Sequence, residues 1–559
     1  MTMSSGTVRL GVLTDSDDVP FWLASALREL QERGLAEVVL IVERAAAAPS
    51  APSAPQGTRM GRWWKNRRLL AFALAERLDR RRGPGSPAAE SLRAIAPQAA
   101  RMDVAPILGR FTDTFSDEDV AQVQRHDLDV LIRLGFRILK GPILGAARNG
   151  VWSFHHGDNR TNRGGPPGVW EVLEDRPETG VTLQRLSSEL DGGEVLARGV
   201  GRTERFSFAR NVASLYPRSS RMLVRSVERL AQGRPARQAS AGDGEWDAYQ
   251  HRLYRRPTNG EILRAGTRLG MRYTRQRSRW RGRRLTWSVA WHMAQGKQGA
   301  VPHDVLHQYR ELRPPADRFW ADPFVAHHGD SMWMFFEELV FSNPVGRIAA
   351  WQMGPKGPIG DPAVVLERPY HLSYPFVFQW EGQWYMLPES QAVLRLELYR
   401  ATRFPHEWEL DRVLLDPFNG VDATLHQHTD GRWYLFASIA DIGITHDEEL
   451  HLFVADTPFG PFTPHPENPL VADVRRARMA GRLFRHGSRL IRPAQCCAPL
   501  YGSGITMHVV EELSPTAYRE RPVQQLGPTW DSRVLGLHTI NAQDGLSVID
   551  LLRLDRISR

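Results

Sequence analysis

The chain has 559 residues, a formal net charge of +9, 42% hydrophobic and 24% charged residues, and two cysteines, the adjacent Cys496 and Cys497. That length exceeds what one hydrophobic core organises, so several domains of ordinary globular composition are expected. Neighbouring cysteines exclude a disulfide framework and a cysteine-based zinc site, and no metal is expected. No apolar run reaches the length of a membrane-spanning helix and the N-terminus lacks a secretory pattern, so the expected location is the cytoplasm.

In chain order, VRLGVLT at residues 8–14 reads as a short strand ending in the turn residues Asp15, Ser16 and Asp17. FWLASALRELQERGL follows with helical periodicity and closes on Gly34, and AEVVLIVE is the next buried strand. A βαβ start of this kind predicts a parallel sheet. Residues 44–60 are Ala- and Pro-rich and read as a flexible insert. Arginines cluster at 59–82 and 273–284, with Trp63, Trp64 and Trp280 interleaved. The expectation is a solvated basic face with no clear nucleic-acid partner, and the tryptophans leave peripheral membrane contact open. DLDVLIRLGFRIL (127–139) and GVWSFHHGD (150–158) are further strands whose C-terminal ends deliver Gly135 and a polar group. Strand C-termini are where open α/β sheets bind ligands. A closing helix is expected over 211–233, and 236–285 reads as a basic linker with some helix.

Residues 150–193 are the most chemically loaded stretch. His155 stands at a strand end ahead of a Gly/Pro-rich loop, and Asp191 follows in a tight ELDGG turn. A histidine near neutral pKa exchanges protons, and a carboxylate beside it orients the ring and stabilises its charged form. Three elements in order, DLDVLIRLGFRIL, GVWSFHHGDNRTNRGGPPGVW and TGVTLQRLSSELDGG, resemble the formyltransferase domain family, which includes methionyl-tRNA and amino-sugar N-formyltransferases. His155, Arg163, Gly164, Trp170, Thr179, Gly180, Thr182, Leu190, Asp191 and Gly193 stand in matching positions, and the 36-residue separation of His155 and Asp191 also matches. The resemblance implies a Rossmann-like domain over residues 1–235 that uses 10-formyltetrahydrofolate. It implies catalysis by a trio at Ser153, His155 and Asp191, whose oxyanion needs hydrogen-bond donors. It also implies a folate pocket at Gly135, Phe136, Arg137, Ile138 and Leu139. Two departures stand out: the trio's Asn is replaced by the shorter Ser153, and the family's SLLP loop reads GDNR.

The second half repeats itself. RFWADPFVAHHGDSMWMFFEEL, HLSYPFVFQWEGQWYMLPES, GVDATLHQHTDGRWYLFASIA and, more weakly, MAGRLFRHGSRLIRPAQ are each a strand, a tight turn and an aromatic return strand. Anchored on Pro323, Pro375, Ala423 and Arg482, the offsets are 52, 48 and 59 residues, and a terminal unit occupies 536–552. Such recurrence predicts an all-β five-bladed propeller over 286–559. Carboxylates at or beside the blade-start positions, Asp322, Glu389 and Asp422, with Glu337 and Glu338 ending the first hairpin (Glu338 the candidate), suit the paired acid and base of glycoside hydrolysis. The stretches WADPF, FFEEL, MLPES, RMAGRLFRHG and RPAQCC resemble glycoside hydrolase family 43 and, more, the N-terminal domain of plant glucosamine inositolphosphorylceramide transferases. That resemblance places the base at Asp322 and the pKa-tuning acid at Asp422. The fourth-blade acid is absent, with Gly481 and Arg482 in its place.

Together these readings predict a folate-dependent N-formyltransferase whose acceptor is an amine of a small molecule, sugar or glycoconjugate. The alternatives are a glycosidase or glycosyl-transfer enzyme with its site in the propeller, or a non-catalytic glycan-binding protein.

Overall fold

The computed structural model describes residues 6–45, 67–81, 88–161, 163–189, 193–239, 252–293 and 303–557. Most of the expected 44–60 insert, and Trp63 and Trp64, lie outside them. The chain forms two compact units, residues 1–273 and 274–559. Their boundary falls inside one helix, Asn259–Trp280, where a basic linker was expected.

The first unit is built on a seven-stranded sheet. Its strands are β1 (Val8–Thr14), β2 (Ala36–Arg44), β3 (Ala100–Val104), β4 (Val130–Arg133), β5 (Val151–His155), β6 (Glu178–Arg185) and β7 (Glu194–Arg202), in the order β7-β6-β5-β4-β1-β2-β3. The five strands from β5 to β3 run parallel, while β6 and β7 are antiparallel additions at one edge. Helices α1 (Phe21–Glu32) and α3 (Phe208–Ala231) share one core with β1, β4 and β5, including Leu10, Leu23, Ile132, Trp152 and Leu223. Helix α2 (Asp117–Gln124) packs Val120 and Val123 with Leu13, Leu131 and Val151 in the core of the opposite face. Because β1 connects to β2 on one side while β4 lies on its other side, the order reverses between β1 and β4. That reversal opens a crevice at the strand ends.

Among the described residues the second unit contains five antiparallel sheets. Four follow the sequence in blocks: strands within 318–366, 373–415, 420–472 and 484–526. The fifth joins its two ends, Arg283–Met293 pairing with Leu546–Arg556 from Arg283↔Arg556 to Met293↔Leu546. The 283–293 strand escaped the repeat pattern because its partner is the far end of the chain. Tight turns close the hairpins as their residues require: Glu381-Gly382 and Asp544-Gly545 all have positive φ, the geometry of a type I′ turn.

One local feature recurs where the repeats align. Asp322, Tyr374 and Asp422 each precede an anchor residue and take left-handed φ values of 52°, 45° and 53°, each within a break in strand register. Gly481 fills the fourth position with φ 126°, and a Cβ there would come 2.2 Å from the Ile540 carbonyl oxygen. These bulges turn the residue out of the pleat. The Tyr374 hydroxyl, fully buried, accepts a hydrogen bond from the Gly481 N–H at 2.9 Å and reaches Thr424 Oγ1 at 2.9 Å. It thereby ties three sheets together. Tyr374→Phe orphans a buried N–H and is expected to lower unfolding free energy by about 1–3 kcal/mol, read as a fall in the denaturant midpoint.

Candidate functional site

In the first unit, β5 alternates its side chains. Phe154 and His156 face α1 and α3, whereas Ser153 and His155 lie on the opposite side of the strand. Ser153 is buried and its hydroxyl accepts a hydrogen bond from Arg133 Nη1 at 3.0 Å. Arg133 comes from the end of β4, where Ser153 and Arg133 are register partners. Its Nη2 also donates to the carbonyls of Phe136 (2.9 Å) and Arg137 (2.8 Å). Burial pulls this guanidinium below the usual arginine range, partly offset by Asp15 and Asp113. The short serine therefore stands beside a cationic donor set. The matched Thr182 donates to the Gly157 carbonyl at 3.2 Å, and Gly180 leaves room for Asp158, which a Cβ would meet at 2.8 Å. These residues brace the loop after His155. Asp191 and Leu190 lie outside the described residues.

At the ends of β1 and β4 is a cavity of about 320 Å3 lined by Asp15, Ser16, Asp18, Trp22, Gly135, His156 and Tyr216, among others, with no lysine or arginine among the described residues of its wall. Gly135 is required there, since a Cβ would stand 2.3 Å from the Asp15 backbone nitrogen. His156 packs between Trp22 (5.8 Å between ring centroids) and Tyr216 (5.7 Å). Burial and the neighbouring His155 push its pKa down to about 4, so it is neutral at physiological pH. The sequence reading stopped at His155; only strand alternation distinguishes the two adjacent histidines.

The expected folate contacts divide. Gly135 borders the cavity. Phe136, at φ 60°, turns its ring into the core against Phe115 and under Arg44, and Leu139 is buried in the same core. The side chains of Phe136 and Leu139 therefore support the turn from beneath instead of lining a pocket. Arg137 is held by Asp113, its Nε 2.8 Å from Oδ1, and Ile138 pairs with Thr112 in a small parallel bridge.

In the second unit, Asp322, Glu389 and Asp422 converge. Asp422 accepts from Arg478 Nε at 2.6 Å and Gln495 Nε2 at 2.9 Å. Arg478 also reaches Asp447 (3.1 Å) and Glu389 (4.0 Å). Burial and the Asp422 carboxylate push Glu389 up to about 8, which keeps it protonated at neutral pH. Asp322 is raised by burial against the pull of His538. His538 lies between two acids, with Nδ1 2.6 Å from Asp550 and Nε2 3.3 Å from Asp322. Burial lowers its pKa, but Asp550 and Asp322 outweigh that and raise it to about 9. Asp322, His538 and Asp550 offer ligand atoms within 4.8 Å of one another, a spacing a metal ion could use. A metal there would bind in competition with the proton that the two acids hold on His538.

Two expected members stand elsewhere. Glu338 is bound by Trp320 Nε1 (3.0 Å), Arg318 and Arg347, because strand alternation gives the cluster side to Glu337, which pairs with His371 at 3.2 Å. Arg482 lies over the Phe376 ring and donates to the Val377 carbonyl. Arg478, His538 and Asp550 were missed by the sequence reading. Arg478 lies within the quoted RMAGRLFRHG stretch, but nothing in one sequence marks it above the neighbouring arginines.

Residues 309–531 match the family model described as "Glucosamine inositolphosphorylceramide transferase 1, N-terminal". Glucosamine inositolphosphorylceramide transferase 1 of Oryza sativa subsp. japonica is 39% identical over 210 residues, 37% of this chain and 28% of that protein. Methionyl-tRNA formyltransferase of Synechococcus sp. (strain CC9311) is 31% identical over 181 residues, 31% of this chain and 48% of that protein. The chain thus spans less than half the length of either relative. A solved glycinamide ribonucleotide transformylase 1 from Symbiobacterium toebii aligns at 16% identity and TM-score 0.28, over 41% of this chain and 89% of that one.

Since His538 gains proton affinity on folding, from an ordinary value of 6.5 to about 9, its contribution to stability is complete below about pH 6.5 and is lost as pH rises through about 9. Glu389, raised by burial, also makes stability fall as pH rises. Melting temperatures measured from pH 6 to 9.5 are expected to decline, and His538→Gln to flatten that decline; an unchanged slope in the variant would contradict the assignment. The polypeptide is thus similar both to methionyl-tRNA formyltransferases and, over residues 309–531, to the N-terminal region of glucosamine inositolphosphorylceramide transferase 1.

Proposed function

We propose that the first unit is a folate-dependent N-formyltransferase acting on an amine of a sugar or glycoconjugate. In this reading the five sheets of the second unit are the blades of a carbohydrate-related propeller. The observation that carries the reading is the grouping of Arg133, Ser153 and His155 at the C-terminal ends of neighbouring strands, with Gly135, just past the same strand end, bordering a cavity on the His156 side at the sheet's reversal point. When bound, 10-formyltetrahydrofolate supplies the formyl carbon. Leu134, Gly135 and the backbone leading to Leu139 would hold it, with Phe136 and Leu139 as buried supports.

Arg133 makes up for the short serine. Four of its five donors are taken by Ser153 and the Phe136 and Arg137 carbonyls, and the remaining Nη1–H, with the cationic charge, stabilises negative charge developing on the transferred group's oxygen. His155 takes up and returns the amine's proton. The cavity suits the acceptor: Asp18 attracts an amine, Trp22 and Tyr216 offer faces for a sugar ring, and among the described residues its wall holds no lysine or arginine to favour a phosphate.

A second reading has its own support. A protonated Glu389 near an Asp422 held by Arg478 is an acid–carboxylate pair of the sort glycoside hydrolysis uses. Here Glu389→Gln would abolish glycan cleavage while His155→Ala would not.

For the leading reading, the full chain is incubated with 10-formyltetrahydrofolate and amino sugars. Turnover is expected, with loss in His155→Ala, a fall of about 10²–10³-fold in kcat/KM for Arg133→Met, and a smaller fall for Ser153→Ala. No turnover together with no folate binding by calorimetry would refute it. A larger effect for Ser153→Ala than for Arg133→Met would refute the role given to Arg133.

A further inference from the structure

The inner strands that carry Asp322 and Asp422 have a second cavity at their C-terminal ends. It measures about 290 Å3, and its wall includes Arg482, His327, His426, Gln379, Gln427 and Trp433, with no aspartate or glutamate among the described residues. One acid meets this wall from outside, Asp544, whose Oδ2 lies 3.0 Å from His327 Nδ1.

Arg482 is the unusual member. Buried and half-buried arginines elsewhere in this unit face a carboxylate: Arg478 faces Asp422, Arg492 faces Glu520 and Arg553 faces Glu311. Among the described residues Arg482 has no such partner. Its guanidinium rests 4.6 Å from the Phe376 ring centroid and donates to one backbone carbonyl, that of Val377. Even half-buried, a cation without a counter-charge carries a desolvation penalty that a nearby anion offsets. Burial lowers Arg482 to about 10, which still leaves it charged at neutral pH.

Two further polar atoms in this wall are buried without a hydrogen-bond partner, His426 Nε2 and Trp433 Nε1. The indole nitrogen only donates, and burial holds His426 near pKa 4, so its ring is neutral and either donates or accepts at Nε2. Native structures leave few buried polar groups unsatisfied, and these two residues share the cavity wall with Arg482. The remaining wall combines carboxamides with indole and phenyl faces, the mixture that binds sugar hydroxyls and the apolar face of a sugar ring.

We propose that this cavity is a binding subsite for an acidic saccharide, in which Arg482 forks the carboxylate of a uronic acid or the phosphate of a sugar phosphate. Trp433 Nε1 and His426 Nε2 bind further ligand oxygens, and the glutamines read the ring hydroxyls. The subsite is separate from the carboxylate cluster and independent of formyl transfer.

The test titrates the full chain, by calorimetry, with glucuronate, glucose 6-phosphate, inorganic phosphate and glucose. At least one acidic sugar is expected to bind ten-fold or more tightly than glucose and more tightly than inorganic phosphate; which of the two binds identifies the anion. Arg482→Gln is expected to weaken that binding at least ten-fold, and Arg482→Lys to retain part of it. If Arg482→Gln does not fold, Trp433→Phe removes only one donor and is expected to weaken binding several-fold. Glucose binding as well as the acidic sugars, phosphate binding as tightly as glucose 6-phosphate, or affinity unchanged in the folded variants would each overturn the proposal.

Discussion

The second unit depends on one backbone constraint, repeated at the start of successive inner strands. A residue in left-handed conformation breaks the strand register, and three of the four positions hold a side chain that this conformation disfavours. Holding a non-glycine residue there costs about 1–3 kcal/mol, and it persists only where the surroundings over-determine it. Here they do. Asp322 is gripped by Thr539 and His538, Tyr374 by Gly481 and Thr424, and Asp422 by Arg478 and Gln495. The bulges bring these side chains together, so the polar centre of the unit and the strain in its strands have the same origin.

Charge burial then sets the chemistry. Where a buried acid has a full counter-charge, as Glu520 has in Arg492, the pair is structural. Where the compensation is partial, proton affinities move instead: Glu389 upward through burial and the nearby Asp422, His538 upward because two acids flank it and outweigh its burial. The first unit uses the same physics with the opposite sign. Arg133 lies at a strand end with Ser153 and two carbonyls for partners and no carboxylate hydrogen-bonded to it, so its field extends into the place where the strands terminate. Asp113, fully buried, is taken up by Arg44 and Arg137 and fixes the turn through Gly135.

Much of this was legible in the chain. Alternating and buried-strand patterns located β1, β2, β4 and β5, and the hairpin turns located the inner strands of four sheets in the second unit. Spaced motifs singled out Ser153, His155, Asp322, Glu389 and Asp422. These signals are local: a strand's period, a turn's need for positive φ, and a glycine where a Cβ would strike backbone all act over a few residues.

What only the tertiary structure decided is which distant groups meet. The pairing of 283–293 with 546–556, the contact of Arg133 with Ser153, the placing of His538 between Asp322 and Asp550, and the choice of Glu337 over Glu338 depend on register between remote segments. A one-residue change in register exchanges the two faces of a strand, so no reading of a single segment could assign them. The sequence by itself determined the kinds of strand and the residue types at their ends. The folded chain decided which of those residues are paired, and an arginine left without an acid, or a histidine between two, exists only at that level.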